Sequence, residues 1–262
     1  MKRPEARHGI TRAAVALMMA AVLASATAAF ARRGADKKEK AKPASAQTVD
    51  SGSFGVFVKG QRVLTETFSI EQHNGSSSIK SQLKQAAGAD SASQKSDLEI
   101  SSSGELLSYE WSESSGGSLT VVPNNEFLIE KIMTGPGAKP AERPFLMPST
   151  SMIVDNNFFV QREVLAWKYL AADCKSEGDG LKCQQGPVEF GTIVPQDRTS
   201  MPMRMELIGK EKIAIHGAEH ELLRLNLKGE NFDWALWVEG PQDGFKLMRV
   251  SIPADDTEVV RD

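Results

Sequence analysis

Cysteine and tyrosine are scarce, with 2 of each in 262 residues. Histidine is little commoner, at 4. A metal centre built from clustered thiols and imidazoles is therefore hard to assemble. Aromatic residues make up 6% of the chain, too few for the girdles of a membrane-spanning β-barrel. That reading is further opposed by a helical segment in mid-chain and a charged end at Arg261-Asp262. No Gly-x-Ser-x-Gly elbow appears, and no glycine-rich turn stands between a strand and a helix, so neither a nucleophile nor a phosphate cradle is signalled. Asp255-Asp256 is no working carboxylate pair, because neighbours in a strand point apart. No residue nominates itself as catalytic, and no cofactor is called for.

What is present begins at the amino terminus. Lys2, Arg3, Arg7 and Arg12 precede an apolar run from Ala13 to Ala24, and Ala29-Phe30-Ala31 supplies a small-x-small triplet. That order is the anatomy of a secretory signal peptide, residues 1–31, cleaved after Ala31. The alternative is a retained anchor, which needs about 20 strongly apolar residues. This run is shorter and rich in alanine. The destination is the periplasm or the extracellular space.

Residues 32–50 carry Arg32, Arg33, Lys37, Lys38, Lys40 and Lys42 among alanine, serine and proline. Such a composition cannot bury a core and reads as a disordered basic linker. It suits a solvated tether with peripheral contact to an anionic membrane surface. The formal charge of the whole chain is −3, and its basic surplus lies in these first fifty residues. The single domain expected over 51–262 is therefore acidic, and nucleic acid is not its partner. It is long enough to bury one core without a staple. Cys174 and Cys183 nevertheless flank a turn-rich Lys-Ser-Glu-Gly-Asp-Gly-Leu-Lys segment. In an exported protein they are expected to pair as one local disulfide. No cysteine stands at the cleavage point, so lipid acylation there is not indicated.

Across the domain the hydropathy period is two. Leu223, Leu225 and Leu227 alternate with Arg224, Asn226 and Lys228; Met203, Met205 and Leu207 alternate with Arg204 and Glu206. One apolar and one solvated face define antiparallel sheet. Turn signals such as Asn74-Gly75, Gly116-Gly117 and His216-Gly217 divide the run into an expected ten to twelve strands in a meander. From Gly135 to Pro148 four prolines predict a loop. Then Phe158, Phe159, Arg162, Leu165, Ala166, Tyr169 and Leu170 fall at helical spacing. They predict a helix over about Asn156 to Ala171, capped by Ser149, Ser151 or Asp155. Its apolar stripe needs a partner, and the curled face of a twisted sheet supplies one. The fold class expected is mainly β with one central helix, a half-open barrel packed on that helix.

Val194-Pro195, Met203–Ile208, Lys212–His216, Leu236-Trp237-Val238 and Leu247–Val250, in this order around a central helix, resemble the lipoprotein-localisation carriers and related exported half-barrels. The Cys174–Cys183 loop departs from that pattern. The resemblance implies an acyl or other apolar ligand held in the concave face, without catalysis. The candidate lining is Phe68, Trp111, Phe127, Phe158, Phe159, Tyr169, Met203, Met205 and Trp234, with Phe54, Tyr109, Met133 and Met248 beside them. Methionine and aromatic side chains adapt to varied apolar ligands, and they equally make an ordinary core. The second reading is a structural or interaction module of the cell envelope that meets a protein partner and holds no small molecule. His216 and His220 have metal-ligand spacing, which brings both rings to one face on a helix and could let them meet across a hairpin turn. Gly217 between flanking strands reads as a turn with two exposed histidines.

Overall fold

The computed structural model describes residues 46–85, 93–177, 180–184 and 186–262. The expected signal peptide and nearly all of the expected linker lie outside the described residues.

The alternating segments form strands β1 (Gln47–Val58), β2 (Gln61–His73), β3 (Ser76–Gln85), β4 (Gln94–Ser101), β5 (Leu106–Glu113), β6 (Ser118–Asn124), β7 (Phe127–Met133), β8 (Ala141–Phe145) and β9 (Met152–Ile153). Helix α1 (Val160–Asp173) follows, then a small hairpin of β10 (Cys174–Glu177) and β11 (Gly180–Cys183). The chain ends with β12 (Val188–Val194), β13 (Thr199–Ile215), β14 (Ala218–Lys228), β15 (Asp233–Val238), β16 (Leu247–Ile252) and β17 (Thr257–Arg261).

Fifteen of these strands make one curled, unclosed sheet in the order β8 to β1, then β17 to β12, then β9. Every neighbouring pair is antiparallel except β9 with β12. The first and last long strands, β1 and β17, meet in mid-sheet, with Phe54 opposite Arg261 and Val56 opposite Val259. The chain passes from the β8 edge to the β9 edge through residues 146–151. On the way the Leu106 amide donates to the Ser149 carbonyl at 2.7 Å.

The sheet is more finely divided than the ten to twelve strands expected, and one of the additions is β8, in the proline-rich stretch expected to be a loop. Pro144 has no amide to donate, and β8 is an edge strand that needs none on its free side. Strand β1 also begins inside the expected linker, at Gln47. The paired glycine turn with two positive φ angles occurs at His216-Gly217, φ 50° and 80°. At Asn74-Gly75 only Gly75 has positive φ, at 85°.

Helix α1 lies in the concave face. Val160, Val164, Leu165, Ala166, Tyr169 and Leu170 pack into one core with Phe54, Phe68, Leu98, Met203, Met205, Leu225 and Leu236. A satellite core of Ile215, Leu222 and Trp237 sits on the opposite face of the sheet, with Met248 packed against it. Met248 therefore does not line the concave side as expected. No helix among the described residues is long and apolar enough to cross a membrane.

Candidate functional site

The interior is polar where α1 begins. Val160, Gln161, Arg162 and Glu163 are all buried. A helix start leaves four backbone amides without partners, and burial makes that deficit expensive. The cap expected from Ser149, Ser151 or Asp155 is not used, since no side chain at the N-cap residue, Phe159, bonds back into the helix. A carboxylate from β2 takes the role instead. Glu66 accepts from the Phe159 amide at 2.6 Å and the Val160 amide at 3.3 Å. It accepts from the Ser81 hydroxyl of β3 at 2.7 Å as well. The dipole of the helix offsets part of the cost of ionising Glu66 there.

Glu66 belongs to an inward-facing row. Strand register aligns Arg261 of β17, Phe54 of β1 and Glu66 of β2 side by side. Arg261 reaches into the first turn of α1 and donates to Glu163 at 3.3 Å. It also binds both oxygens of Asp50 at 2.7 and 2.8 Å, while its guanidinium covers the stacked rings of Phe54 and Phe68. Glu163 accepts the Leu247 amide at 2.9 Å. Asp50, assigned to the linker by composition, is thus a buried member of the core.

Asp155 forms a second knot. It accepts from the Tyr109 hydroxyl, the Gln196 amide and the backbone of Asn157. Arg162 donates to the carbonyls of Asp155 and Phe158 and lies over the rings of Phe159 and Trp234. Its Nε and Nη2 have no protein partner. Glu130 on β7 is fully buried and neither of its oxygens has a partner.

Burial controls the protonation of these groups. It pushes the Glu66 carboxyl up to about 7, against the hydrogen bonds it accepts. It pushes Glu130 up to about 7 as well, opposed by Arg198 and Arg143. Glu163 is raised well above the usual carboxylate range by burial and then by the adjacent Asp50. Burial lowers Arg162 to about 10, with Asp155 and Glu66 holding it against a larger fall.

The expected lining divides unevenly. Phe68, Phe158, Phe159, Tyr169, Met203 and Met205 are buried, and all but Phe158 lie in the main core beside α1. Trp111 and Trp234 are half-buried against that core. Phe127 is 41% exposed and stands outside the lining; Met133 is half-buried at the end of β7. These residues are packing around a resident helix, so they do not enclose an open concave face. An apolar recess of about 360 Å³ does exist at the other end of α1. Val49, Trp167, Leu170, Leu181 and Phe245 line it beside Cys174.

Cys174 and Cys183 are disulfide-bonded across the β10–β11 hairpin, as expected. His216 lies at a turn, where its Nε2 meets the Arg261 carbonyl at 2.7 Å. No group of three or more potential metal ligands occurs among the described residues.

The charged residues of the interior went unread in the sequence, although a signal was there. Glu66 shares its strand register with Phe68 and Ile70, and Glu130 lies between Leu128 and Ile132. A charge in the apolar register of an alternating strand points inward.

Fold and site together define a β-barrel-like protein, a curled, unclosed and mainly antiparallel sheet packed on a partly polar helix. No protein-family model matches the chain, and no curated protein matches it in sequence. Among solved structures, it is similar to a β-barrel-like protein of Domain of Unknown Function DUF1849 from Brucella abortus. The two are 6% identical, the match covers 81% of this chain and 94% of that one, and the TM-score is 0.47.

Proposed function

We propose that this protein is an exported, non-catalytic module that works through its outer surface on a partner in the cell envelope. The observation that carries this reading is the filled concave face. The first turn of α1 is buried there, Arg162 and Glu163 included, in the room an acyl chain would otherwise occupy. Export is supported by the signal-type start and by the disulfide, a bond favoured in oxidising compartments. Crosslinking in intact cells, followed by mass spectrometry, tests the reading. A reproducible envelope-protein partner is expected on the outer face of the sheet. Mature protein beginning near Arg32 in a soluble exported fraction is expected too. A species retaining Met1 in the membrane pellet overturns the export.

A second reading keeps the apolar ligand implied by the likeness to lipoprotein-localisation carriers, but moves it. The recess beside Trp167 and Leu181 favours it, because its walls are mostly apolar and it lies at the exposed end of the helix. Fatty acid titrated into the protein would then quench Trp167 fluorescence, and Leu181→Glu would abolish the quench. Organic extracts free of acyl material, with no quench on titration, reject this reading and leave the first intact.

A further inference from the structure

The described interior holds more acid than base. Five carboxyl side chains are buried, Asp50, Glu66, Glu130, Asp155 and Glu163, against two guanidiniums, Arg162 and Arg261. A buried charge without a counter-charge is unfavourable by several kcal/mol, so such groups bind protons instead. Each guanidinium balances one carboxylate, and Asp155 and Asp50 are assigned that place. Asp155 accepts from three donors, and Asp50 is bound through both oxygens by Arg261. Glu66 accepts three bonds as well, but its Ser81 partner also bonds the Thr67 carbonyl and can turn to accept a proton from Glu66. The remaining three must be neutral for the interior to balance.

Two of those three hold the first turn of α1. Glu163, on the helix, faces Asp50 from β1, Arg261 from β17 and the Leu247 amide from β16. Lys246 stands 4.0 Å from Asp50, and Glu239 lies within the same field. Glu66, on β2, faces Ser81 from β3 and the amides and Arg162 of α1. The third, Glu130, on β7, feels Arg143 and Arg198.

We propose that α1 is a proton-retained plug, seated while Glu163 and Glu66 carry protons and loosened from the β17–β1–β2 wall when they ionise. Ionised Glu163 and Asp50 would repel each other across a single Arg261. Ionised Glu66 would add a second negative charge beside Arg162, which already faces Asp155. The raised affinities of both carboxyls for protons are consistent with this order of events. The long β13–β14 hairpin carries none of the five acids and should stay paired while the helix loosens. What the loosened state exposes is the apolar concave face around Phe159, Met203 and Met205.

Hydrogen exchange resolved by mass spectrometry tests this on the mature protein with its disulfide intact. Peptides covering α1 and β13–β14 are compared between about pH 5.5 and 8.5 after correction for intrinsic exchange rates. Protection of α1 should fall about tenfold or more across that range while β13–β14 holds. Binding of an apolar fluorescent dye should rise in parallel. In Glu163→Gln, which keeps an acceptor for Leu247 and Arg261 but cannot ionise, the fall should shrink or vanish. If Glu163→Gln does not fold, Asp50→Asn serves. It frees Arg261 to pair with Glu163 and should likewise flatten the profile. Equal protection of α1 at both ends of the range overturns the proposal. Loss spread evenly over helix and sheet overturns it too, since that is global destabilisation. An unchanged profile in the folded variants does the same.

Discussion

The two ends of α1 are tied to the same barrel by different physics. At the first turn, Val160 to Glu163 are buried and the ties are ionic and long-range. Glu66 bonds the Phe159 amide from 93 residues away, and Arg261 bonds Glu163 from 98 away. At the last turns Ala171 and Ala172 are exposed. There one cation, Lys168, donates to the backbone carbonyls of Gly104 and Thr150, no carboxylate among the described residues takes part, and the remaining ties are neutral and partly local. Trp167 donates to the Phe245 carbonyl at 2.9 Å, and the Cys174 amide closes the helix on Leu170. The disulfide hairpin follows at once. A buried ionic anchor is strict, because removing one partner strands the other in a low-dielectric interior. A neutral, half-exposed anchor lets water replace what is lost. The two ends should therefore answer mutation and pH very differently.

The strongest break in that comparison is Arg162→Leu. It leaves the buried Asp155 carboxylate without its cation and should lower stability by about 3–5 kcal/mol at neutral pH. Urea unfolding with an unchanged m-value is the measurement. A loss below about 1 kcal/mol would mean the first turn is held by apolar packing alone.

Phe159→Ala comes next. The ring is 5% exposed and lies under the Arg162 guanidinium. As a fixed core element it should cost about 3–5 kcal/mol. Were the ring part of a mobile cover over a ligand, stability would hardly change and probe binding would weaken. Unfolding free energy and lipid-probe titration on the same variant separate the two.

The pH profile sharpens the contrast. The Glu66 carboxyl ionises at about 7 in the folded protein, against an ordinary value of 4.5. The folded state holds its proton more tightly than the unfolded chain does. This stabilisation is fully present below pH 4.5 and is lost as pH rises through about 7. A shift of this size corresponds to roughly 3 kcal/mol. Stability measured by urea at about pH 5 should exceed that at about pH 8, and Glu66→Gln should flatten the slope. A profile that rises towards pH 8 would contradict the neutral interior.

The remaining two predictions concern the other end. Replacing both Cys174 and Cys183 by serine should cost about 2–3 kcal/mol, because the closed loop is short. Differential scanning calorimetry measures this, and it should leave the pH slope intact. Trp167→Phe removes one hydrogen bond to Phe245 in a half-exposed setting and should cost about 1 kcal/mol. A loss as large as that of Arg162→Leu would erase the distinction between the ends.

Much of the architecture was legible residue by residue. Leu223-Arg224-Leu225-Asn226-Leu227 can only be a strand with one wet face, because alternation is imposed by the pleat. The helical spacing of Phe158 to Leu170 announced α1, although the helix begins later than expected, at Val160. The start moved because Asn156 and Asn157 are drawn into polar contacts with Asp197, Asp155 and Gln94. Strand β8 was hidden by its prolines, since a proline is read as a breaker unless the edge position is known. Phe127 was assigned to the lining by its chemistry, and the strand's parity puts it outside.

The alternation, helix α1 and the pairing of the two cysteines were all written in local sequence. Each of these depends on neighbours within one strand, one helical turn or one short loop. Only the tertiary structure decided which charges are buried and what they meet. Asp50, Glu66, Glu163 and Arg261 come together because β1 closes against both β2 and β17 in mid-sheet. That closure brings the first strand of the domain against the last, and with it the wall that caps a helix lying between them in the chain. No local pattern carries that information. It resides in how fifteen strands curl, and in the burial that makes every unpaired charge inside them unfavourable.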